Sequence, residues 1–326
     1  MRNGTRAWRV SFTVGILCTG LSTVALSQVA RPSATIDAAA LLHDLQVLSA
    51  DDMQGRQVDT PGGARARAFV LERFKASGVK PFGASYEAPF TFTAGPGAAG
   101  AAAVRHGVNV IGHIVGTRQP ARYLVVSAHY DHIGVRNGQV FNGADDNASG
   151  TAALFALAKY FGDHRPEHSL IFAAFDGEEA GLRGSRDFVQ HPPVDAAAIV
   201  ADVNLDMIGR DPDDKLFAVG TFLNPFLKPY LERVAAAAPI KLLLGHDDPG
   251  QKNVEDWTRD SDHYSFQQAG IPAVYLGDED FAQHHKATDD YETMTHHFFV
   301  GATETALAVV KEFDAHLDAI GKKQRP

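Results

Sequence analysis

The chain has 326 residues, 45% hydrophobic and 21% charged, with a formal net charge of −9. This composition excludes disordered and fibrous classes and carries enough apolar material for one large core or two smaller ones. The acidic balance, with no basic patch to neutralise phosphates, excludes a nucleic-acid binder.

The first segment reads as an export signal. Arg2, Arg6 and Arg9 precede an apolar stretch from Val10 to Leu26, and Ala25-Leu26-Ser27 offers the small-x-small pattern of a signal-peptidase site. Residues 1–27 are therefore expected to be removed, leaving a protein exported to the periplasm or secreted. The stretch is short and polar-spotted against the ~20 apolar residues a spanning helix needs, so no membrane association is expected after cleavage. Cys18, the single cysteine, follows Ile16-Leu17 and not small residues, which argues against a lipoprotein site. A mature chain without cysteine must be held by its core or by bound metal.

Ile36–Ser77 reads as two helices, with apolar residues at helical spacing in Ile36–Leu48 and Ala64–Phe74 and Thr60-Pro61-Gly62-Gly63 as the break between them. No chemistry is expected in this flank. Ala94–Gly107, rich in Gly and Ala, reads as a loop or a weak hairpin. From Val108 onward, Asn109–Val115, Tyr123–Ala128, Ser169–Phe175, Ile199–Leu205, Leu216–Val219 and Ala273–Leu276 read as strands. Gly150–Phe161, Asn224–Ala237 and Val300–Ile320 read as helices between them. The alternation predicts an α/β fold, a single globular domain whose central mixed but largely parallel β-sheet is flanked by helices on both faces.

Ligand sites in such sheets lie outside the carboxyl ends of the strands. There Tyr123–Ala128 runs into His129-Tyr130-Asp131-His132, and "NGADDNASG" puts Asp145 and Asp146 in a turn before a helix. Leu170–Phe175 ends in Asp176, Glu178 and Glu179, Ile199–Leu205 ends in Asp206, and a late loop, "HHKATDDYET", carries His284 and His285. Taken singly each is ordinary: a lone His after a strand is more often a hydrogen-bonded surface group, and Asp145 fits a helix N-cap. Convergence argues otherwise, because carboxylates gathered at one edge repel one another unless cations bind there. Adjacent glutamates then suit two jobs, one coordinating a metal and the other free to move a proton from water to a leaving amine.

The motifs "SAHYDH", "GADDNASG", "DGEEAGLRGS", "NLDMIG" and "HHKATDD", in this order, resemble those of the family-28 metallopeptidases, co-catalytic dinuclear zinc aminopeptidases typified by bacterial leucyl aminopeptidase. The resemblance runs from about Asn109 to the end, with a weaker echo from Ala64 to Pro81. It implies a zinc-exopeptidase, phosphorylase/hydrolase-like catalytic domain over residues 28–326. It also implies two Zn2+ ions, with Co2+ or Mn2+ as alternatives that carboxylate-rich sites accept. Asp146 would bridge the two metals, His129 and Asp206 would hold one, and Glu179 and His285 the other, with His284 as runner-up to His285. Glu178 matches the general base, Asp131 the acid that orients the His129 imidazole, and Asp146–Asn147 the position of a cis peptide. The implied reaction removes N-terminal residues from peptides with a free amino end, by attack of a metal-bridged hydroxide. The oligomeric state stays open.

Some features depart from the family pattern. No cysteine flanks "DSDHYSF", and Thr258 stands near the place of a carbonyl-polarising tyrosine, with Tyr264 as a substitute. Phe222, Phe266 and Phe281 sit in loops and are the candidates for a hydrophobic pocket, although such phenylalanines are more often core than pocket. The alternatives are a glutaminyl cyclase of the same fold working on a single zinc, and a carboxypeptidase with Arg259 as its candidate carboxylate anchor. A non-catalytic binding relative is the third, and it should have lost ligands that all stand at their motif positions here.

Overall fold

The computed structural model describes Met1 and residues 35–94 and 103–324. The expected export signal, residues 1–27, lies outside the described residues apart from Met1. Among the described residues no helix is long and apolar enough to cross a membrane.

Helix α1 (Ala38–Leu48) starts at Asp37, whose carboxylate accepts the Ala40 N–H. Helix α2 (Pro61–Ala76) starts at Thr60, whose hydroxyl accepts the Gly63 N–H, with Pro61 in the first turn where its missing N–H costs nothing. Thr60-Pro61-Gly62-Gly63 is therefore the start of α2. The break between the helices lies earlier, in the 3-10 stretch Asp51–Arg56. Strands β1 (Glu87–Ala94) and β2 (Ala103–Ile114) pair antiparallel, so the described parts of the Gly/Ala-rich segment are hairpin arms, while 95–102 lie outside the described residues.

The chain continues with β3 (Gln119–His129), a small ribbon of β4 (Gly134–Arg136) and β5 (Gln139–Phe141), α3 (Gly150–Asp163), β6 (His168–Phe175) and α4 (Arg183–Gln190). It ends with β7 (Ile199–Leu205), β8 (Lys215–Val219), α5 (Lys228–Ala235), β9 (Lys241–Leu244), α6 (His263–Gln268), β10 (Ala273–Gly277) and α7 (His296–Gln324). The sheet order is β1-β2-β6-β3-β7-β10-β8-β9. Its centre, β6-β3-β7-β10, is parallel throughout. Antiparallel pairs lie outside it, at β1–β2, β2–β6 and β8–β10.

Every residue of β6 and β7 is buried, because helices cover both faces of the sheet, and this is why these strands read as unbroken apolar runs. Leu124, Val126 and Ala128 of β3 face a core shared with α1, α2, α3, α5 and α7. Val125 faces the other way, into a smaller core where Phe188 of α4 and Phe266 of α6 pack on Phe175. Phe266 is thus a core residue and not part of a binding pocket. The four parallel strands deliver His129, Phe175, Leu205 and Gly277 to one edge of the sheet, where the polar loops begin.

Candidate metal centre

Asp146 stands at the middle of this edge, between two sets of side chains. Its Oδ1 lies 3.4 Å from His129 Nε2, which is in turn 3.2 Å from Asp206 Oδ1. Its Oδ2 lies 3.2 Å from His285 Nε2, which is 3.0 Å from Glu179 Oε2. His284 Nε2 reaches only Asp146, at 3.5 Å. The five residues expected as metal ligands are therefore within a few ångströms of one another, and His285 makes the closer approach of the histidine pair.

The backbone around Asp146 is held from below. The Asp145 and Asp146 N–H groups donate to the buried Asp289 carboxylate, which pairs with Arg210. The Asp146–Asn147 peptide is cis. Asp145 is not a helix cap: its carboxylate accepts the Gly209 N–H, and α3 has no side-chain cap. His129 is steadied through Nδ1, which donates to the Asp131 backbone carbonyl at 3.1 Å, with the Asp131 carboxylate further off at 3.6 Å. That carboxylate accepts the Glu178 N–H at 3.0 Å, so Asp131 couples the His129 loop to the Glu178 loop.

Two supporting residues were given no role by the sequence. His132 is fully buried with its Nδ1 2.7 Å from Glu179 Oε1, and neither atom has another hydrogen-bond partner. Its place beside Asp131 in "HYDH" was the available clue. Arg56 lies in the flank where no chemistry was expected, yet it is fully buried beneath the site. Its guanidinium donates to the carbonyls of Tyr130, Leu48, Asn142, Gly143 and Asp146. The left-handed run Gln54, Gly55 and Arg56 turns it inward, and a Cβ on Gly55 would fall 2.4 Å from the Phe141 carbonyl oxygen.

The two neighbouring glutamates differ electrostatically. Burial, aided by Asp262, Asp206 and Glu179, lifts Glu178 well above the usual carboxylate range against the pull of His129. Burial and Asp146 would lift Glu179 too, but His132 and His285 outweigh them and hold it below that range. Environments that push two carboxyls apart are how a site assigns one to proton transfer and the other to charge. Burial likewise acts against ionised Asp146, yet His132, His285, His129 and His284 keep it well below the usual range. Hydrogen bonds to Asp146 and Glu179 push His285 up to about 10.

This donor set fits metal ions. Three clusters converge on Asp146, namely His129 with Asp206, His132 with Glu179, and His284 with His285. Among the described residues, buried Glu179 Oε1 and His132 Nδ1 have only each other, His132 Nε2 has no hydrogen-bond partner, and His285 is pushed up by the carboxylates it meets, a balancing role a cation fills directly.

The site opens into a cavity of about 290 Å³. Its lining includes seven carboxylates, from Asp146, Glu178, Asp206, Glu255, Asp260, Asp278 and Asp280, and neither lysine nor arginine. Arg259 is not among the lining residues; its guanidinium lies 5.7 Å from the Tyr264 ring. The tyrosine that does line the cavity is Tyr275, not Tyr264. Of the phenylalanines expected in a pocket, Phe281 lines it and is 54% exposed, while Phe222 does not line it.

Residues 109–310 match Peptidase family M28. The chain belongs to this family. It spans about half the length of the curated relatives it matches first: a "Probable zinc metalloprotease" of Pyrenophora tritici-repentis is 27% identical over 54% of this chain and 48% of that protein. A "Probable glutamate carboxypeptidase" of Zea mays is 31% identical over 58% of this chain and 27% of that protein. Among solved structures, a glutaminyl cyclase from Fimbriiglobus ruber superposes with a TM-score of 0.67 at 22% identity, covering 87% of this chain and 99% of that one. A zinc aminopeptidase from Bacillus subtilis gives 0.66 at 16% identity, covering 87% and 96%. At such identities the likeness to the solved structures speaks to fold alone.

Proposed function

We propose that this M28 chain is an exported zinc aminopeptidase that removes N-terminal residues from peptides. Two Zn2+ ions would be held by His129 with Asp206 and by Glu179 with His285, with Asp146 between them. The observation that carries the reading is the make-up of the cavity wall: seven carboxyl groups and no lysine or arginine suit a substrate's free ammonium end better than a terminal carboxylate.

When bound, zinc supplies Lewis acidity toward the scissile carbonyl and lowers the pKa of water. Glu178, with its high proton affinity, takes a proton from the attacking water and passes it to the departing nitrogen. Asp131 keeps Glu178 in register with His129 by accepting the Glu178 N–H. Asp260 and Glu255, which have no ion-pair partner among the described residues, face the substrate's ammonium group from the wall.

The test is metal content and hydrolysis of aminoacyl-p-nitroanilides by the purified protein, beside N-acetylated counterparts and an N-terminal glutaminyl peptide. Two zinc ions and cleavage of free-amine substrates only are expected. Cyclisation of the glutaminyl peptide without anilide hydrolysis would transfer the chain to cyclase chemistry. N-terminal sequencing of the exported protein checks the leader, with cleavage after Ser27 expected.

The two histidines of the late loop should separate cleanly. His285 touches both Asp146 and Glu179, so His285→Ala should cost one zinc and at least about 100-fold in activity, the upper range for loss of a supporting contact being exceeded by loss of a ligand. His284→Ala should stay within severalfold of the parent, and equal losses would reverse the assignment. His132→Leu, which keeps bulk and loses the ring nitrogen facing Glu179, should weaken one zinc by about 10–100-fold. A calorimetric titration with two unchanged affinities would remove His132 from the site.

A further inference from the structure

Beneath Asp206, on the side away from the cavity, buried polar side chains run in file between the central strands. Asp206 Oδ2 accepts the Ser261 hydroxyl at 2.6 Å, and Ser261 Oγ accepts Asn204 Nδ2 at 2.7 Å. Asn204 Oδ1 is 3.0 Å from Ser127 Oγ, which is 2.9 Å from Asp202 Oδ1. Asp202, Asn204, Ser127 and Ser261 are all fully buried, and Asp202 Oδ2 has no hydrogen-bond partner among the described residues.

The file can be counted for hydrogens. Four contacts need four of them. Ser127 and Ser261 supply one each. The Asn204 amide turns its N–H end to one neighbour and its oxygen to the other, so it supplies one, whichever way round it is drawn. Three hydrogens serve four contacts, and the fourth must be a carboxyl proton on one of the terminal acids. Asp206 faces His129 at 3.2 Å and stands in a set of donors fit for metal, so the proton belongs at the other end of the file. Asp202 faces no cation: its neighbours are Ser127 and, further off, another acid, Asp262. Burial also raises Asp202 well above the usual carboxylate range.

The geometry points to Asp202 as a neutral carboxylic acid at physiological pH, the terminal donor of a one-way chain through Ser127, Asn204 and Ser261 that clamps Asp206 Oδ2 and leaves Oδ1 to the metal. Each hydroxyl or amide in the chain presents its hydrogen toward Asp206, so Oδ2 is held by neutral donors alone. Asp202 is a positioning residue: it acts on the metal centre only through the file. The inference rests on the proposed function in taking Asp206 as a zinc ligand.

The test uses the full chain and three variants. Asp202→Asn replaces the O–H donor with an N–H donor, Asp202→Leu removes the donor, and Ser127→Ala breaks the file with little loss of volume. Infrared difference spectra of wild type and Asp202→Asn at neutral pH should show the carbonyl stretch of a protonated carboxyl that the variant lacks. Zinc titration of the metal-free proteins should find Asp202→Asn within about threefold of wild type at both sites, and Asp202→Leu and Ser127→Ala weaker at one site by about tenfold or more with the other unchanged. An ionised Asp202 in the infrared, unchanged affinities in both Asp202→Leu and Ser127→Ala, or loss of both zinc ions in Ser127→Ala would overturn the inference. Failure of the proposed function looks different: wild type would then bind no zinc pair or cleave no peptide, while the infrared result, which needs no metal, would stand.

Discussion

Glu178→Gln should lower kcat by about 10²–10⁴-fold, the usual worth of a positioned proton carrier, and leave both zinc ions in place. The substitution keeps the shape of the side chain and the backbone N–H that Asp131 accepts, and it removes only the ability to take a proton. KM should change little, because the lost interaction is made in the transition state. Glu179→Gln is the informative contrast. That side chain meets His132 and His285, so its loss should release metal before it touches proton transfer. A Glu178→Gln protein with near-parental kcat and two zinc ions would end the division of labour between the neighbouring glutamates.

The largest effect on stability is expected at Arg56, far from any motif. Arg56→Met fills most of the space but takes the guanidinium's hydrogen bonds from five carbonyls, those of Leu48, Tyr130, Asn142, Gly143 and Asp146, of which Gly143 keeps the Ala148 N–H. Breaking a buried charged network of this kind costs about 3–5 kcal/mol. In a chain of this size the melting temperature should fall by on the order of 10 °C. The Arg56 guanidinium already carries a desolvation cost, since burial pushes it down to about 10 against the pull of Asp146, Asp289, Asp131 and Glu179. Zinc should restore part of the lost stability, because it replaces positive charge under those same acids. A melt within about 2 °C of wild type, in metal-free protein, would show that the carbonyls find other partners.

The central strands were legible because both of their faces are covered, and burial on two sides leaves an unbroken apolar run such as Leu170–Phe175. The site was legible for a related reason: such runs must end where the sheet ends, and a titratable residue directly after one is placed at the edge. Short elements were not legible. The strand Lys241–Leu244 and the ribbon Gly134–Phe141 are too brief to set a period, and Arg183–Gln190 shows the sequence only two strongly apolar residues, the adjacent Phe188 and Val189, which set no helical spacing. Arg56 escaped because its inward course depends on left-handed backbone at Gln54, Gly55 and Arg56, which no hydrophobic pattern announces. Tyr275 escaped because it sits within a strand that reads as core from end to end, and only the pairing of the strands reveals that its ring reaches the cavity.

The residues that meet at Asp146 come from distant stretches of the chain, and His285 follows Glu179 by roughly a hundred residues. During synthesis from the N-terminus, the segments carrying His129, Asp146 and Glu179 leave the ribosome well before the late loop does. A partly made or truncated chain therefore exposes a half-built cluster of acids whose mutual repulsion no late histidine relieves. Completion of the centre is coupled to completion of the polypeptide, and only a finished molecule can hold its full set of metal ligands together.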